Sequence, residues 1–407
     1  MQYIEGGVTA AKGFMASSAA AGIKYEGRQD MALVYSSQPC ICAGTFTKNI
    51  VQAAPVKWDK RVVREFGKAQ AIVCNSGIAN ACTGVQGYQY CKESAEAVGA
   101  ALGIDENLVL TASTGVIGMQ LKIDRVKAGI AMLASSLKES LDAGHAAARA
   151  IMTTDTVPKE AAVSFDIGGR SIVIGGMCKG SGMIHPNMCT MLCFITTDAA
   201  ISGEMLQKAL SEDIEETFNM VSVDGDTSTN DTVLLLANGQ AGNEEIAAEG
   251  EAFDTFKAAL HLVNQALCKK IAGDGEGATA LFEMRVIGAD DAAQAKILAK
   301  SVISSILVKA AICGHEANWG RILCAMGYSG AEFDPEKVDL FFESRAGRIQ
   351  IMKDGTGTDF DEEEATRILS EPEVTAQADL KSGSAEATAW GCDLTKEYVA
   401  INGDYRS

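Results

Sequence analysis

Short apolar runs bounded by turn formers alternate along the chain with Ala-rich amphipathic stretches. Met31–Tyr35, Ala71–Cys74, Leu108–Thr111, Ser171–Ile174, Leu192–Thr196 and Val233–Leu236 are too short and too continuous for helices and predict strands. Glu93–Leu102 predicts a helix. Ile123–Ile151 predicts one long helix or two, broken near Gly144, and Phe253–Lys270 a helix ended by Gly273. Ala292–Ile312 predicts a single amphipathic helix, with Leu298, Val302, Ile306 and Ala310 on one stripe. Leu340–Glu343 and Arg348–Met352 predict a hairpin across Ala346-Gly347, and Val374–Ala376, Ala387–Trp390 and Tyr398–Ile401 late strands. Mixed elements without a fixed-period repeat point to an α/β or α+β architecture.

Composition narrows the function more than the fold. The 407 residues are 47% hydrophobic and 22% charged, which suits two or three globular domains. A net charge of -18 disfavours a phosphate backbone, so no nucleic-acid partner is expected. Residues 1–20 have no basic start before an apolar run, and no long uncharged apolar stretch occurs. A signal peptide and a membrane span are therefore not expected, and a cytoplasmic location is. The 12 cysteines are scattered with no CxxC pair, the default being reduced thiols. Four dispersed histidines give no metal signature, since His315-Glu316 is followed by Trp319 where a second histidine would stand.

Phosphate-loop, dinucleotide and nucleophile-elbow motifs are absent. Polar, Gly-flanked segments remain: Asn75–Thr83, Ser113–Gly118, Thr153–Thr156, Lys179–Ile184, Pro186–Leu192, Asp224–Asn230 and Asp274–Thr279. Singly, each reads as a turn. Lys179 alone reads as a solvated lysine, Glu276 as a turn acid and Thr114 as a turn cap. Asp224–Asn230 has alternating oxygen side chains, but Leu235 stands where a calcium loop needs glutamate.

Together the segments are specific. The run KGSGMIHPNMCTMLCFITTDA from Lys179 to Ala199 resembles the self-cleavage signature of the ornithine acetyltransferase (ArgJ) family, whose members cut themselves before a Thr-Met-Leu. The resemblance extends in order through GGVTAAKGF, NSGIANACTG, STGVIG, IMTTDT, VDGDTSTND, DGEGAT, NWGRI and WGCDLTKEYV, nearly the whole chain. Cys189 stands where many members have alanine, Ala280 where lysine is common, and His315-Glu316-Ala317 where Ala-Asp-Pro is usual.

The resemblance implies an ArgJ/DmpA-like αββα sandwich of N-terminal-nucleophile type, formed by residues 1–280 with 386–407. A second, smaller α/β domain would span 281–385. It implies a cut between Cys189 and Thr190, with Thr190 as nucleophile and Thr114 and Gly115 as the oxyanion hole. Substrate would be bound by Thr153, Lys179, Thr190, Glu276, Asn402 and Ser407. The implied reaction moves the acetyl group of N2-acetylornithine to glutamate through an acetyl-Thr190 ester, giving ornithine and N-acetylglutamate. It needs no cofactor and no metal, and acetyl-CoA is left open as an additional donor. The cut chains would form a heterotetramer of two alpha and two beta chains.

The chemistry is coherent. A threonine hydroxyl is a weak nucleophile that needs an adjacent base. A free α-amine titrates near about 7.7–8.0, close to the operating pH that suits a general base. The alternatives are an N-terminal-nucleophile aminopeptidase or amidohydrolase, with water as acceptor, and an uncut scaffold protein. A Cys189 thiol with His185 as base is a weaker candidate, because the family pattern tolerates alanine at that position.

Overall fold

The computed structural model describes residues 1–185 and 191–404. The expectations for Cys189, Thr190 and Ser407 lie outside those residues. Among the described residues the first sheet holds β1 (Gln2–Ile4), β2 (Phe14–Ala19), β3 (Met31–Phe46), β4 (Lys68–Ile78), β5 (Val109–Val116), β6 (Lys159–Ile167), β7 (Arg170–Lys179), β8 (Leu192–Thr197) and β9 (Thr232–Ala237). Its order is β1-β6-β7-β8-β9-β3-β4-β5, with β2 also on β3. Helices α1 (Ala54–Arg61), α2 (Gly84–Leu102), α3 (Ile123–Ser135) and α4 (Leu141–Ala150) pack against β2–β5; α5 (Gly203–Ile214) and α6 (Glu251–Gly273) pack against the other half.

The long strand β3 serves both halves. Met31–Tyr35 pairs with β4, Ile41–Phe46 with β9, and the register shifts between them. Ser37, Gln38 and Pro39 are exposed at that point. Proline has no N–H to donate, so the ladder breaks there. Strands β8 and β9 are buried throughout because each face has its own core. Leu192, Phe194, Leu234 and Leu236 cluster with Val34, Ile72 and Leu110 of the first half. Cys193, Ile195, Val233 and Leu235 alternate with them and cluster with Leu206, Leu210, Phe256 and Leu260 of α5 and α6. The result is a helix–sheet–sheet–helix stack.

The second sheet comprises β10 (Leu281–Ala289), β11 (Asp339–Ser344), β12 (Gly347–Lys353), β13 (Thr356–Gly357), β14 (Glu373–Asp379) and β15 (Ala385–Cys392), in the order β13-β12-β11-β14-β10-β15. Helices α7 (Ala292–Ser304), α8 (Ile306–Cys313), α9 (Trp319–Gly327) and α10 (Glu362–Leu369) accompany it, and α11 (Lys396–Asp404) follows. Its core is continuous with the α5–α6 layer, Phe282, Val302 and Trp390 joining Phe256 and Leu260 in one cluster.

The structure departs from the sequence reading in four places. The break between α3 and α4 falls at 136–140, where Ser140 caps α4, and Gly144 lies inside the helix against Thr9. The expected helix Ala292–Ile312 divides at Ser305, whose hydroxyl caps α8. Tyr398–Ile401 is part of α11 rather than a strand. Strand β15 is the antiparallel partner of β10, so 386–392 belongs with the smaller unit, and the return to the first unit begins near Asp393.

Candidate active site

Several strand ends meet at one edge of the sandwich. Lys179 ends β7 and pairs with Leu192 at the start of β8, which pairs in turn with Thr232 at the start of β9. Thr114 and Gly115 lie near the end of β5. Asn230 ties the two halves together, its amide nitrogen donating to the Ser113 and Ala79 carbonyls at 2.7 and 2.6 Å. Between them lies a pocket of about 170 Å³ lined by Thr114, Gly115, Thr153, Lys179, Glu276 and Asn402, with Met191 and Asp231. Each expected site residue that is described is therefore on one wall or another of a single small pocket. Its size suits a small ligand, since drug-sized molecules occupy roughly 300–1,000 Å³.

Lys179 is buried and held from several sides. Its Nζ donates to Thr153 Oγ1 at 2.6 Å and to Thr114 Oγ1 at 3.4 Å, and lies 3.7 Å from Asp155 Oδ2. Behind it, the buried Lys159 bridges Asp155 Oδ1 at 2.7 Å and Asp274 Oδ2 at 2.5 Å. Burial alone would raise the Asp155 carboxyl, but Lys179 and Lys159 overcome it and hold the group well below the usual carboxylate range. Asp155 also accepts the Thr153 and Gly180 N–H groups at 3.0 and 2.7 Å. The two cations and two carboxylates balance one another. They fix the Lys179 ammonium at the pocket wall, where it is suited to a ligand carboxylate. Asp155, Lys159 and Asp274 were not singled out from the sequence, although Asp155 and Asp274 sit in the TTDT and DGEGAT segments.

Two glycines are required by what approaches them. Gly115 has φ +128, and a Cβ there would lie 2.3 Å from the Gly77 carbonyl carbon on the neighbouring strand. A Cβ on Gly182 would lie 2.4 Å from the Glu276 carboxylate carbon, so only glycine lets Glu276 fold over the turn after β7. Glu276 is steadied by its N–H to Ser181 O at 3.0 Å and by the Asn402 amide at 2.7 Å.

The turn leading to residue 186 is held by Asp224, which accepts the Met183 and Ile184 N–H groups at 2.6 and 2.8 Å. His185 Nδ1 lies 3.0 Å from Ser222 Oγ. Burial, then the charge of Lys300, lowers its imidazole to about 4, leaving it neutral at pH 7. Asp231 is buried beside Met191. Burial pushes its carboxyl well above the usual range, against the pull of Ser228, Thr47, the Met191 N–H and Lys179. Among the described residues no group of three or more His, Cys, Asp or Glu side chains could hold a metal ion, and no helix is long and apolar enough to cross a membrane.

Comparison with known proteins gives a consistent picture. The ArgJ family profile matches residues 15–407. An arginine biosynthesis bifunctional protein ArgJ of Symbiobacterium thermophilum is 53% identical over the full length of both chains. An ArgJ 1 of Clostridium acetobutylicum is 52% identical over 97% of this chain and 96% of its own. A crystal structure of the ArgJ bifunctional protein from Bacillus halodurans superposes with a TM-score of 0.51 at 47% identity, covering 53% of this chain and 100% of its own.

Proposed function

The chain belongs to the ArgJ family, and from that premise we propose that it is an acetyltransferase of arginine biosynthesis that moves the acetyl group of N2-acetylornithine to glutamate. The observation that carries this reading is the pocket's pairing of Lys179 with Glu276, a fixed cation and a carboxylate in one small cavity beside Thr114, Gly115 and Met191. An amino-acid substrate with a second amine presents a carboxylate to the first and an ammonium to the second. Thr153 orients Lys179, and Asn402 orients Glu276.

In this mechanism the bond between Cys189 and Thr190 is cut by the Thr190 hydroxyl attacking the Cys189 carbonyl, and water releases the ester. The new α-amine then takes the hydroxyl proton as Thr190 attacks the acetyl carbonyl. Ornithine leaves with a proton, and the amine of glutamate attacks the acetyl ester. Each tetrahedral oxyanion is received by the Thr114 hydroxyl and the Gly115 N–H. Nucleophile and base share one residue, so no cofactor or metal takes part. Ser407 is a further substrate-binding residue by family resemblance. The name "bifunctional" carried by the relatives supports acetyl-CoA as a second donor. The cut is supported by the Bacillus halodurans chain, whose 53% coverage is about the share of the sequence that residues 190–407 make up. The cut chains assemble as a heterotetramer in the cytoplasm.

The test is intact-mass spectrometry of the wild type and Thr190→Ala, followed by assays of N-acetylornithine turnover with and without glutamate. A cut wild type, an uncut variant and glutamate-dependent turnover are expected. Turnover indifferent to glutamate would mark a hydrolase, and an uncut wild type would remove the base the mechanism depends on.

A further inference from the structure

A second cavity, of about 750 Å³, opens where β3 loses its β4 partner. Strand β4 pairs with β3 no further than Ile41, so Cys42–Phe46 pairs with β9 on one side and is open on the other. The Thr47 N–H donates to Asp231 O at 2.9 Å, on the β9 side. By the alternation of an antiparallel ladder, Cys42, Gly44 and Phe46 therefore turn their main-chain groups to the open edge. Gly67 O takes the Cys42 N–H at 3.1 Å, and the Gln207 amide of α5 bridges the Gly44 N–H and carbonyl at 3.1 and 3.3 Å. The facing walls are α1 with the π turn that continues it, Val62–Phe66, and the start of α5. This cavity is separate from the active site. The two share no lining residue, and Thr47, whose hydroxyl donates to Ser228 O at 2.9 Å, stands between them.

The lining carries three cations, Lys48, Lys60 and Arg64, and no carboxylate. The chain has 53 acidic residues against 35 basic ones, so the bias runs against that of the whole molecule. Among the described residues neither Lys48 nor Arg64 has an ion-pair partner, and Lys60 Nζ has only the Phe46 ring, 5.8 Å from its centre. Lys60 and Arg64 are four positions apart on one helical segment, a spacing at which like charges repel. Burial and then Arg64 lower the Lys60 ammonium from its usual value. The Ser211 hydroxyl accepts from Gln207 at 2.9 Å and keeps its own hydrogen to donate. Gly203 brings the positive end of the α5 dipole to the rim, and Glu204 in the same turn is outside the lining.

We propose that this cavity is a binding site for a small anion with two or more negative charges, a phosphate ester or a polycarboxylate, held between Lys48, Lys60 and Arg64. Arg64 offers a planar fork to two oxygens, and the two lysines act as point charges. The volume fits a ligand of metabolite size, since small-molecule sites occupy roughly 300–1,000 Å³. An occupant relieves the repulsion that Lys60 and Arg64 exert on each other.

Titration calorimetry of the wild-type protein with sodium pyrophosphate and, separately, with sodium citrate tests the site. Saturable binding of at least one of the two is expected, weakening as sodium chloride is raised from about 50 to 200 mM. A preference for pyrophosphate marks a phosphorylated ligand, and a preference for citrate a polycarboxylate. Lys60→Gln combined with Arg64→Gln is expected to weaken binding roughly tenfold or more. Lys57→Gln combined with Lys68→Gln removes as much charge from exposed positions of the same region outside the cavity, and should weaken it less than about twofold. Arg64→Gln alone, at an exposed position, carries the same readout with a smaller loss if the Lys60 and Arg64 double variant does not fold. Absence of saturable binding by both anions would overturn the inference. Equal losses in the two double variants would overturn it too, by reducing the binding to general attraction. So would unchanged binding without Lys60 and Arg64, which would place the anion elsewhere, as at Lys179. None of these outcomes bears on the proposed reaction, which is read by N-acetylornithine turnover.

Discussion

The Asn402 amide nitrogen donates to Glu276 Oε2 at 2.7 Å, joining the last helix to the turn before β10 across 126 positions of sequence. Asn402 also donates to Tyr398 O, one turn back in α11, at 3.0 Å. The tail is anchored upstream as well, where Asp393 accepts the Thr279 and Ala280 N–H groups at 2.8 and 3.1 Å. Asn402→Ala is therefore expected to leave the fold intact and release Glu276. Steady-state kinetics should show KM for N-acetylornithine raised roughly tenfold, the scale of one hydrogen bond to a charged group, with kcat nearly unchanged. An unchanged KM would detach α11 from substrate binding.

Lys179→Met removes the cation that faces the pocket and leaves Asp155 with one partner fewer. Truncating one member of a buried, hydrogen-bonded charge set costs about 2–5 kcal/mol. The expected loss in kcat/KM is on the order of 100-fold. Lys179→Arg should not restore it, because the larger planar group cannot occupy the space between the Thr153 and Thr114 hydroxyls. Wild-type kcat/KM in the methionine variant would exclude a carboxylate contact.

Lys159 tests the support behind the pocket. It is fully buried between two carboxylates. Lys159→Ala should lower the unfolding free energy in urea by about 3–5 kcal/mol, the range for breaking a buried ion pair. A change below about 1 kcal/mol would mean that water or a rearranged side chain replaces the ammonium.

Asp155 gives the fold a defined acid sensitivity. Its folded pKa is held below the unfolded value, so its contribution to stability is present above about pH 4 and is lost as pH falls toward the folded value. Urea titrations should show wild-type stability declining below about pH 4. Asp155→Asn should be less stable at pH 7 and decline less steeply over that acid interval. Parallel curves for the two proteins would place the acid sensitivity elsewhere.

Much of this site was legible in the sequence because its residues sit in Gly-flanked polar segments that look unlike core or ordinary surface. Thr114, Thr153, Lys179, Glu276 and Asn402 come from separate segments, and family resemblance was needed to group them. The lysine–carboxylate set was not legible. Asp155 and Lys159 are close in sequence, but Asp274 is 115 positions from Lys159, and a buried lysine looks like any other until the strand that buries it is known. The tail was misread for a related reason. Tyr398, Val399 and Ile401 have the composition of a strand, yet α11 buries none of its residues. Local composition without a burial pattern does not distinguish the two. The helix is held instead by Thr395, which donates to Gly277 O at 2.7 Å and accepts the Glu397 N–H.

In the first sheet β8 and β9 are inserted between β7 on one side and β3 on the other. With the proposed cut before Thr190, those two inner strands belong to one fragment and both flanking strands to the other. Lys179 at the end of β7 is paired with Leu192 at the start of β8 only once the insertion is complete. Under the proposed cut, self-cleavage would act as proofreading: the free threonine amine would be granted only to chains that have closed the sheet, and a chain that stalls earlier would carry no active nucleophile.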